Sequence, residues 1–490
     1  MWTLFLDVKG VACPYLRKCR ETIERRVCID CLRMPLLCPL LTVIMRDSQR
    51  RAINCYTMSS KFVSCEDLKP QNDAEIPQEP TGLTLEEQSI KRSLNAYFSP
   101  KALTTSPGAP CVRTRNSASR GPLHDARGDA FQSALEFLVN KDLPLWFAYK
   151  CVNNFVEEYK EELRLELISF VPDVYESIEG GTWIRNIILK LTEYMTEMYE
   201  GKRDMPRKSS AWDRYPYSLA YARNHRQKME DRHVVLPTLS AVEPNTTEKF
   251  AKDAFFAVFD GHGGQECAHH ACAHFYRCLI DLLSSPNPPK CENLLRETFK
   301  VYDERFMVRS EKEKIRSGAT AVCVYIHDDT LNCAWLGDSS IGLLKNEEIR
   351  TISVNHVPTN ENEYKRITEM GGLIVTIQGE LRVSGVLNIT RSLGDAQGRP
   401  SISQEPDTTS IVLDGEEYLL LLACDGVWEY LTESEIYKLI ESFVRKHPSK
   451  DFHRMAEEIC ESAVDKGSTD NVTLIIVCLR PVEDLWKLFK

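Results

Sequence analysis

The stretch Phe255-Phe256-Ala257-Val258-Phe259-Asp260-Gly261-His262-Gly263-Gly264 decides how this chain is read. Its first five residues are aromatic, small or branched, the composition of a short buried strand. The run stops at Asp260, which places a carboxylate at the mouth of a rigid element. The glycines that follow permit a turn whose backbone can approach a ligand closely. From Ala268 to Leu283, Ala271, Phe275, Leu279 and Leu282 recur at helical spacing. Strand, turn and helix thus gather a carboxylate, an exposed carbonyl and an imidazole within three residues, a set suited to a hard cation and a proton donor. A tight strand-to-helix turn capped by Asp260 would use the same residues with no chemistry, and the stretch alone leaves both readings open.

Around this stretch, from about 210 to 482, short apolar runs alternate with turns and a few helices. Thr320 to Ile326, Leu331 to Leu336 and Ile341 to Leu344 read as strands joined tightly in an antiparallel meander. Tyr418 to Cys424 is almost continuously apolar and reads as a central strand buried on both faces. Ser434 to Val444 and Phe452 to Val464 read as amphipathic helices, and Val472 to Cys478 as a last strand. The pattern is that of an α/β domain with much antiparallel sheet.

The preceding region has a different texture. Residues 130–205 read as three or four amphipathic helices. Trp146, Tyr149, Val152, Val156, Tyr159, Leu163 and Leu167 share one face over Trp146 to Ile168, and Ile184, Ile187, Ile188, Leu191, Met195 and Met198 share another over Trp183 to Tyr199. Such a stripe serves either as core or as a groove for a partner. Residues 67–129 recur in proline among polar residues and read as a mostly disordered linker, with one helical island at Thr84-Leu85-Glu86-Glu87 followed by Ile90, Leu94 and Phe98. Residues 1–66 form a cysteine-rich extension in which only Cys28-x-x-Cys31 has metal-like spacing, without a second pair to complete a zinc set.

A chain of 490 residues exceeds one ordinary core, and a formal net charge of −10 argues against a general nucleic-acid binder. Eighteen irregularly spaced cysteines, several inside apolar runs (Cys323, Cys333, Cys424, Cys478), suit a reducing compartment. The longest uncharged N-terminal run, Met34 to Met45, is too short to span a bilayer and is broken by Pro35 and Pro39, and the chain start lacks the basic region of a secretory signal. The expected location is the cytoplasm, with the nucleus as a second compartment, and no membrane partner.

Three further acidic sites share the placement of Asp260. Glu230-Asp231 lies beside Arg226 and just before the strand-like His233 to Leu236, Asp425-Gly426 directly follows the run ending in Cys424, and Asp470-Asn471 directly precedes the last strand. Each carboxylate sits where a strand meets a loop, a frequent location of functional groups. If they converge, their repulsion must be offset, and oxygen-only ligands favour Mg²⁺ or Mn²⁺ over zinc. Two such ions would orient a water and lower its pKa, and a nearby arginine would bind phosphate oxygens bidentately.

Seven motifs occur in order: Arg226-x-x-Met229-Glu230-Asp231, Phe259-Asp260-Gly261-His262-Gly263-Gly264, Ser317-Gly318-Ala319-Thr320-Ala321, Leu336-Gly337-Asp338-Ser339, Thr390-Arg391-Ser392-Leu393-Gly394-Asp395, Ala423-Cys424-Asp425-Gly426-Val427-Trp428 and Ser468-Thr469-Asp470-Asn471-Val472-Thr473. Together they resemble the signature of the metal-dependent type 2C (PPM) serine/threonine protein phosphatases over residues 210–482. The resemblance implies two mainly antiparallel sheets flanked by helices, a PPM-type sandwich, with a binuclear Mn²⁺/Mg²⁺ site at one end. It implies that Asp260 bridges both ions, that the Gly261 carbonyl binds one, that Asp425 and Asp470 complete the other, and that Glu230 acts on the second through water. Asp231 would hold a water, Arg226 the substrate phosphate, and His262 would protonate the leaving serine or threonine oxygen.

The chain departs from that pattern in four places. Glu429 stands where many members have Asp, one carbon shorter, which bears on a third, weaker metal site formed with Asp338. Ser340 replaces a frequent Arg, Asn355-His356-Val357-Pro358 the usual Asp-His-Lys-Pro, and Leu381-Arg382-Val383 lacks a common Trp. None removes an implied ligand. The helical module is similar to that of the calmodulin-kinase phosphatase and worm sex-determination phosphatase branch, which implies a partner-binding role. The expected function is therefore a protein serine/threonine phosphatase acting on phosphoproteins, whose residues 210–482 catalyse without the first 205. The rival readings are a pseudo-phosphatase scaffold and a hydrolase of small phosphate esters.

Overall fold

A computed structural model describes residues 84–105, 120–242 and 250–489. The cysteine-rich extension, including Cys28 and Cys31, lies outside the described residues, as do 67–83 and 106–119 of the expected linker. The described parts of that stretch are ordered elements. Helix α1 (Leu85–Phe98) starts at Thr84, whose side chain accepts from the Glu87 backbone N–H while the Glu87 carboxylate accepts from the Thr84 N–H, a complete capping box. Its Ile90, Leu94 and Phe98 are buried, as their spacing predicts.

Beside a short helix at Pro100–Thr105, three longer ones make up the described N-terminal region: α2 (Ala126–Val139), α3 (Leu145–Glu158) and α4 (Gly180–Tyr199). Helix α3 ends ten residues before the helical periodicity suggests, since Leu163 and Leu165 are buried by the turn that follows but Leu167 is 81% exposed. The aromatic and methionine stripe is core. Phe147, Tyr149, Val152, Met195 and Met198 belong to the same buried cluster as Phe255, Phe275 and Tyr302 of the downstream domain. The helical region is therefore not a separable lobe.

The downstream domain runs β1 (Tyr217–Ala222), β2 (Arg232–Leu236), β3 (Ala254–Phe259), α5 (Glu266–Ser284), α6 (Cys291–Glu313), β4 (Ala321–His327), β5 (Thr330–Leu336), β6 (Ser340–Lys345) and β7 (Glu348–Thr351). It continues with α7 (Glu361–Glu369), the hairpin β8 (Ile374–Ile377) and β9 (Glu380–Val383), β10 (Asp407–Val412), β11 (Glu417–Ala423), α8 (Glu433–Lys446), α9 (Met455–Asp465), β12 (Val472–Cys478) and α10 (Val482–Leu488). One five-stranded sheet has the order β7-β6-β11-β12-β1 and the other β10-β5-β4-β3-β2, with every neighbouring pair antiparallel.

Strand alternation explains the layers. Along β3, Phe256 and Val258 point into a core shared with Val324, Leu420, Leu422 and Ile475 of both sheets, while Phe255, Ala257 and Phe259 point the other way, onto α5, α6 and the N-terminal helices. Along β12, Ile475 and Val477 face the inner core, and Leu474 and Ile476 face α8, α9 and α10. Strands buried on both faces read as continuous apolar runs, which is why β3, β11 and β12 were legible. The expected three-strand meander is corrected: β4 and β5 form a hairpin, but β6 crosses to the opposite sheet and pairs with β11. The crossing segment Gly337–Ser339 carries Asp338 to the seam between the sheets.

Candidate metal centre

The ends of β3, β5 and β11 deliver three carboxylates to one place. Ligand oxygens of Asp260, Asp338 and Asp425 all lie within 4.8 Å of one another. The Asp260 carbonyl accepts from the Thr320 backbone N–H at 2.9 Å, which ties the end of β3 to β4. Gly261 is required by proximity, because a Cβ there would lie 2.6 Å from the Glu230 carbonyl oxygen. Asn471 binds the acidic segment before β2 to the start of β12. Its Oδ1 accepts from Glu230 N–H at 2.7 Å, and its Nδ2 donates to the carbonyls of Arg223 and Lys228 at 2.9 and 3.0 Å. Asp231 is buried, and its Oδ2 accepts from Thr473 Oγ1 at 2.7 Å.

These acids resist ionising together. Burial first, and then the charges of Asp231, Asp425, Asp338 and Asp470, pushes the Asp260 carboxyl well above the usual range. Burial and Asp425 bring Asp338 up to about 7. Burial brings Asp231 up to about 6 against the Thr473 hydrogen bond. Asp425 is raised by burial and Asp470, and Glu429 by burial, Asp425 and Asp470. Packed carboxylates whose protons are held this tightly, with oxygen donors only, fit a hard divalent cation, which would offset the repulsion. Glu230 and Asp470 stand outside the tightest set, although Asp470 raises the carboxyls of both Asp260 and Asp425. Arg226 is 58% exposed and bonds Asp470 Oδ2. His262, 25% exposed, bonds Asp395 Oδ2 through Nε2 at 2.6 Å.

A second buried cluster has a different character. Asp125, His270 and His274 also come within 4.8 Å of one another. However, Asp125 already accepts from Arg305 Nε at 2.6 Å, Arg309 Nη1 at 3.1 Å and His270 Nε2 at 2.9 Å. Arg309 also bonds Asp129 at 2.9 Å, and Asp129 accepts from His274 Nε2 at 2.9 Å. The protein's own cations balance these acids, so the cluster is an ion-paired joint between α2 and helices α5 and α6. Its members were not legible in the sequence, because Asp125 and Arg305 are separated by 180 residues.

Residues 216–472 match the family model described as protein phosphatase 2C. The chain is 34% identical over 389 residues to the protein phosphatase fem-2 of Caenorhabditis elegans, covering 77% of this chain and 85% of that protein. It is 32% identical over 363 residues to human protein phosphatase 1E, of whose length it spans 46%. Among solved structures, one of a C. elegans sex-determining protein superposes with a TM-score of 0.72 at 31% identity, covering 83% of this chain and 98% of that one. The family match over residues 216–472, the paired antiparallel sheets and these relatives together establish that the chain belongs to the protein phosphatase 2C family of protein phosphatases.

Proposed function

We propose that the chain hydrolyses phosphoserine and phosphothreonine in proteins at the acidic centre. The carrying observation is the convergence of Asp260, Asp338 and Asp425 at the sheet ends. Two divalent cations, Mn²⁺ or Mg²⁺, would be held by Asp260, the Gly261 carbonyl, Asp425, Asp470 and Glu230, with Asp338 and Glu429 available to a weaker third. When bound, they would supply positive charge to the phosphate and lower the pKa of a water. Asp231, whose Oδ2 accepts from Thr473, would hold that water. Arg226, at the exposed rim, would leave Asp470 to grip the phosphate oxygens. His262 would give a proton to the departing serine or threonine oxygen, the task of a general acid. A regulatory partner would meet the outer faces of α1 to α4, since their apolar stripe lies inside. Phosphate release from a phosphothreonine peptide, measured with Mn²⁺ and with EDTA, tests the reading. Turnover that requires the ion and stops in EDTA is expected, and no turnover by folded, ion-loaded protein would refute it.

A further inference from the structure

The motif ending in Asp395 has no role in the scheme above, yet it sits against His262. Three two-residue strands explain how. Gly261–His262 pairs with Gly318–Ala319, which pairs on its other edge with Leu393–Gly394. The register sets His262 opposite Gly318 and Gly318 opposite Gly394, so His262 and the residue after Gly394 meet across a position with no side chain. A Cβ on Gly318 would lie 2.2 Å from Asp395 Oδ2 and 2.5 Å from His262 Nε2. Both groups occupy that space, and their contact is 2.6 Å.

Asp395 is itself held. Ser392 Oγ donates to the same Oδ2 at 2.5 Å. The backbone of Asp395 is left-handed, with φ +45°, a conformation uncommon outside glycine that persists where surroundings impose it. The preceding carbonyl, of Gly394, accepts from Arg399 Nη2 at 3.0 Å, and Arg399 is anchored to Asp303 of α6 at 2.7 Å. Asp395 is 9% exposed, so water competes little for its oxygens.

We propose that Asp395 is a positioning residue for proton delivery by His262. This rests on the reading of His262 as the general acid. A carboxylate only accepts, so Nε2 carries the hydrogen of the shared bond, and Nδ1 is left to exchange a proton with the substrate. In the step, a bond forms between the water oxygen and phosphorus while the bond from phosphorus to the seryl or threonyl oxygen breaks. The Nδ1 proton moves to that oxygen to give the alcohol. The proton lost by the attacking water returns to the ring, and inorganic phosphate leaves. Asp395 exchanges no proton and keeps the ring from rotating away.

The demand for this proton depends on the leaving group. A seryl oxygen needs it, whereas p-nitrophenolate departs without it. With the full-length chain loaded with Mn²⁺, Asp395→Asn is expected to lower kcat on a phosphoserine peptide by about 10- to 100-fold, and on p-nitrophenyl phosphate by less than about 3-fold. His262→Gln should show the same split, and the double variant should be no worse than His262→Gln. Ser392→Ala, a milder change, should give a smaller loss of the same kind. Equal losses on both substrates for Asp395→Asn and Ser392→Ala would make the contact merely structural and overturn the proposal. A split for His262→Gln but none for Asp395→Asn would overturn it while sparing the acid. No split for His262→Gln would remove the general-acid reading and the proposal together.

Discussion

Replacing Asp125 by Asn tests whether the N-terminal helices are locked to the phosphatase domain by the buried ion cluster. Asp125 is fully buried, and its carboxylate faces Arg305 and Arg309, whose side chains are 13% and 10% exposed. Burial pushes this carboxyl up, but His274, His270 and Arg305 outweigh it and hold it well below the usual range. Removing one partner of a buried pair costs about 3–5 kcal/mol, because the other charge stays buried without compensation. Here the remaining partners soften the loss. Arg309 keeps Asp129 at 2.9 Å and Glu313 at 3.1 Å, and Arg305 keeps the His124 carbonyl at 2.6 Å. Asn also retains an acceptor oxygen. The lower end, about 3 kcal/mol, is therefore expected. Urea unfolding followed by fluorescence should show the midpoint fall with an unchanged slope, the mark of lost stability and not of a changed unfolded state. A loss below about 1 kcal/mol, the range of an exposed ion pair, would refute the claim that this joint is dry and stabilising.

Other consequences can be measured separately. A chain beginning at residue 206 should be insoluble or unfolded in a circular-dichroism melt, because it uncovers the face of α5 and α6 that packs on Phe131 and Phe147, at about 1.5–3 kcal/mol per large side chain. A soluble, active fragment would show that the shared core is dispensable. Asp260→Asn should abolish ion-dependent phosphate release yet raise Tm in EDTA by about 2 °C or more, since it removes a carboxylate that burial and the charges of Asp231, Asp425, Asp338 and Asp470 all disfavour. A lower Tm in EDTA would mean that these acids are not in conflict. Glu363, buried and bonded by Arg391, Arg366 and Thr390, has its carboxyl brought down from 4.5 to about 2 despite burial. A depressed carboxyl stabilises the fold above its unfolded value and loses that contribution as pH falls through its folded value. Glu363→Gln should therefore flatten the drop in Tm between about pH 4.5 and pH 2, and an unchanged acid limb would exclude this pairing.

The strands that carry the centre were readable because they are buried on both faces and so appear as unbroken apolar runs: Phe255–Phe259, Tyr418–Cys424 and Val472–Cys478 differ from the observed strands by a residue or two at most. Their boundaries were marked by the acids themselves, since a carboxylate is expelled from a strand interior and collects at its mouth. Helical periodicity located α1, α4, α5, α8 and α9, but it overran α3, because Leu163 and Leu167 continue the apolar rhythm although the helix has ended at Glu158 and the backbone turns again at Arg164, with φ +57°. The crossover of β6 was not readable, since a tight turn and a crossing between sheets leave the same short polar interruption at Gly337–Ser339.

The sequence by itself determined the local elements and the oxygen-rich character of the centre, because both follow from residue type and spacing along a few neighbouring positions. Only the tertiary structure decided which distant groups share a proton or a charge. Asp395 reaches His262 through the register of three short strands, and Asp125 reaches Arg305 and Arg309 through the packing of helices brought together by one core. Such pairings depend on how layers stack and how strands align, quantities set by the burial of the whole chain and carried by no single stretch of it.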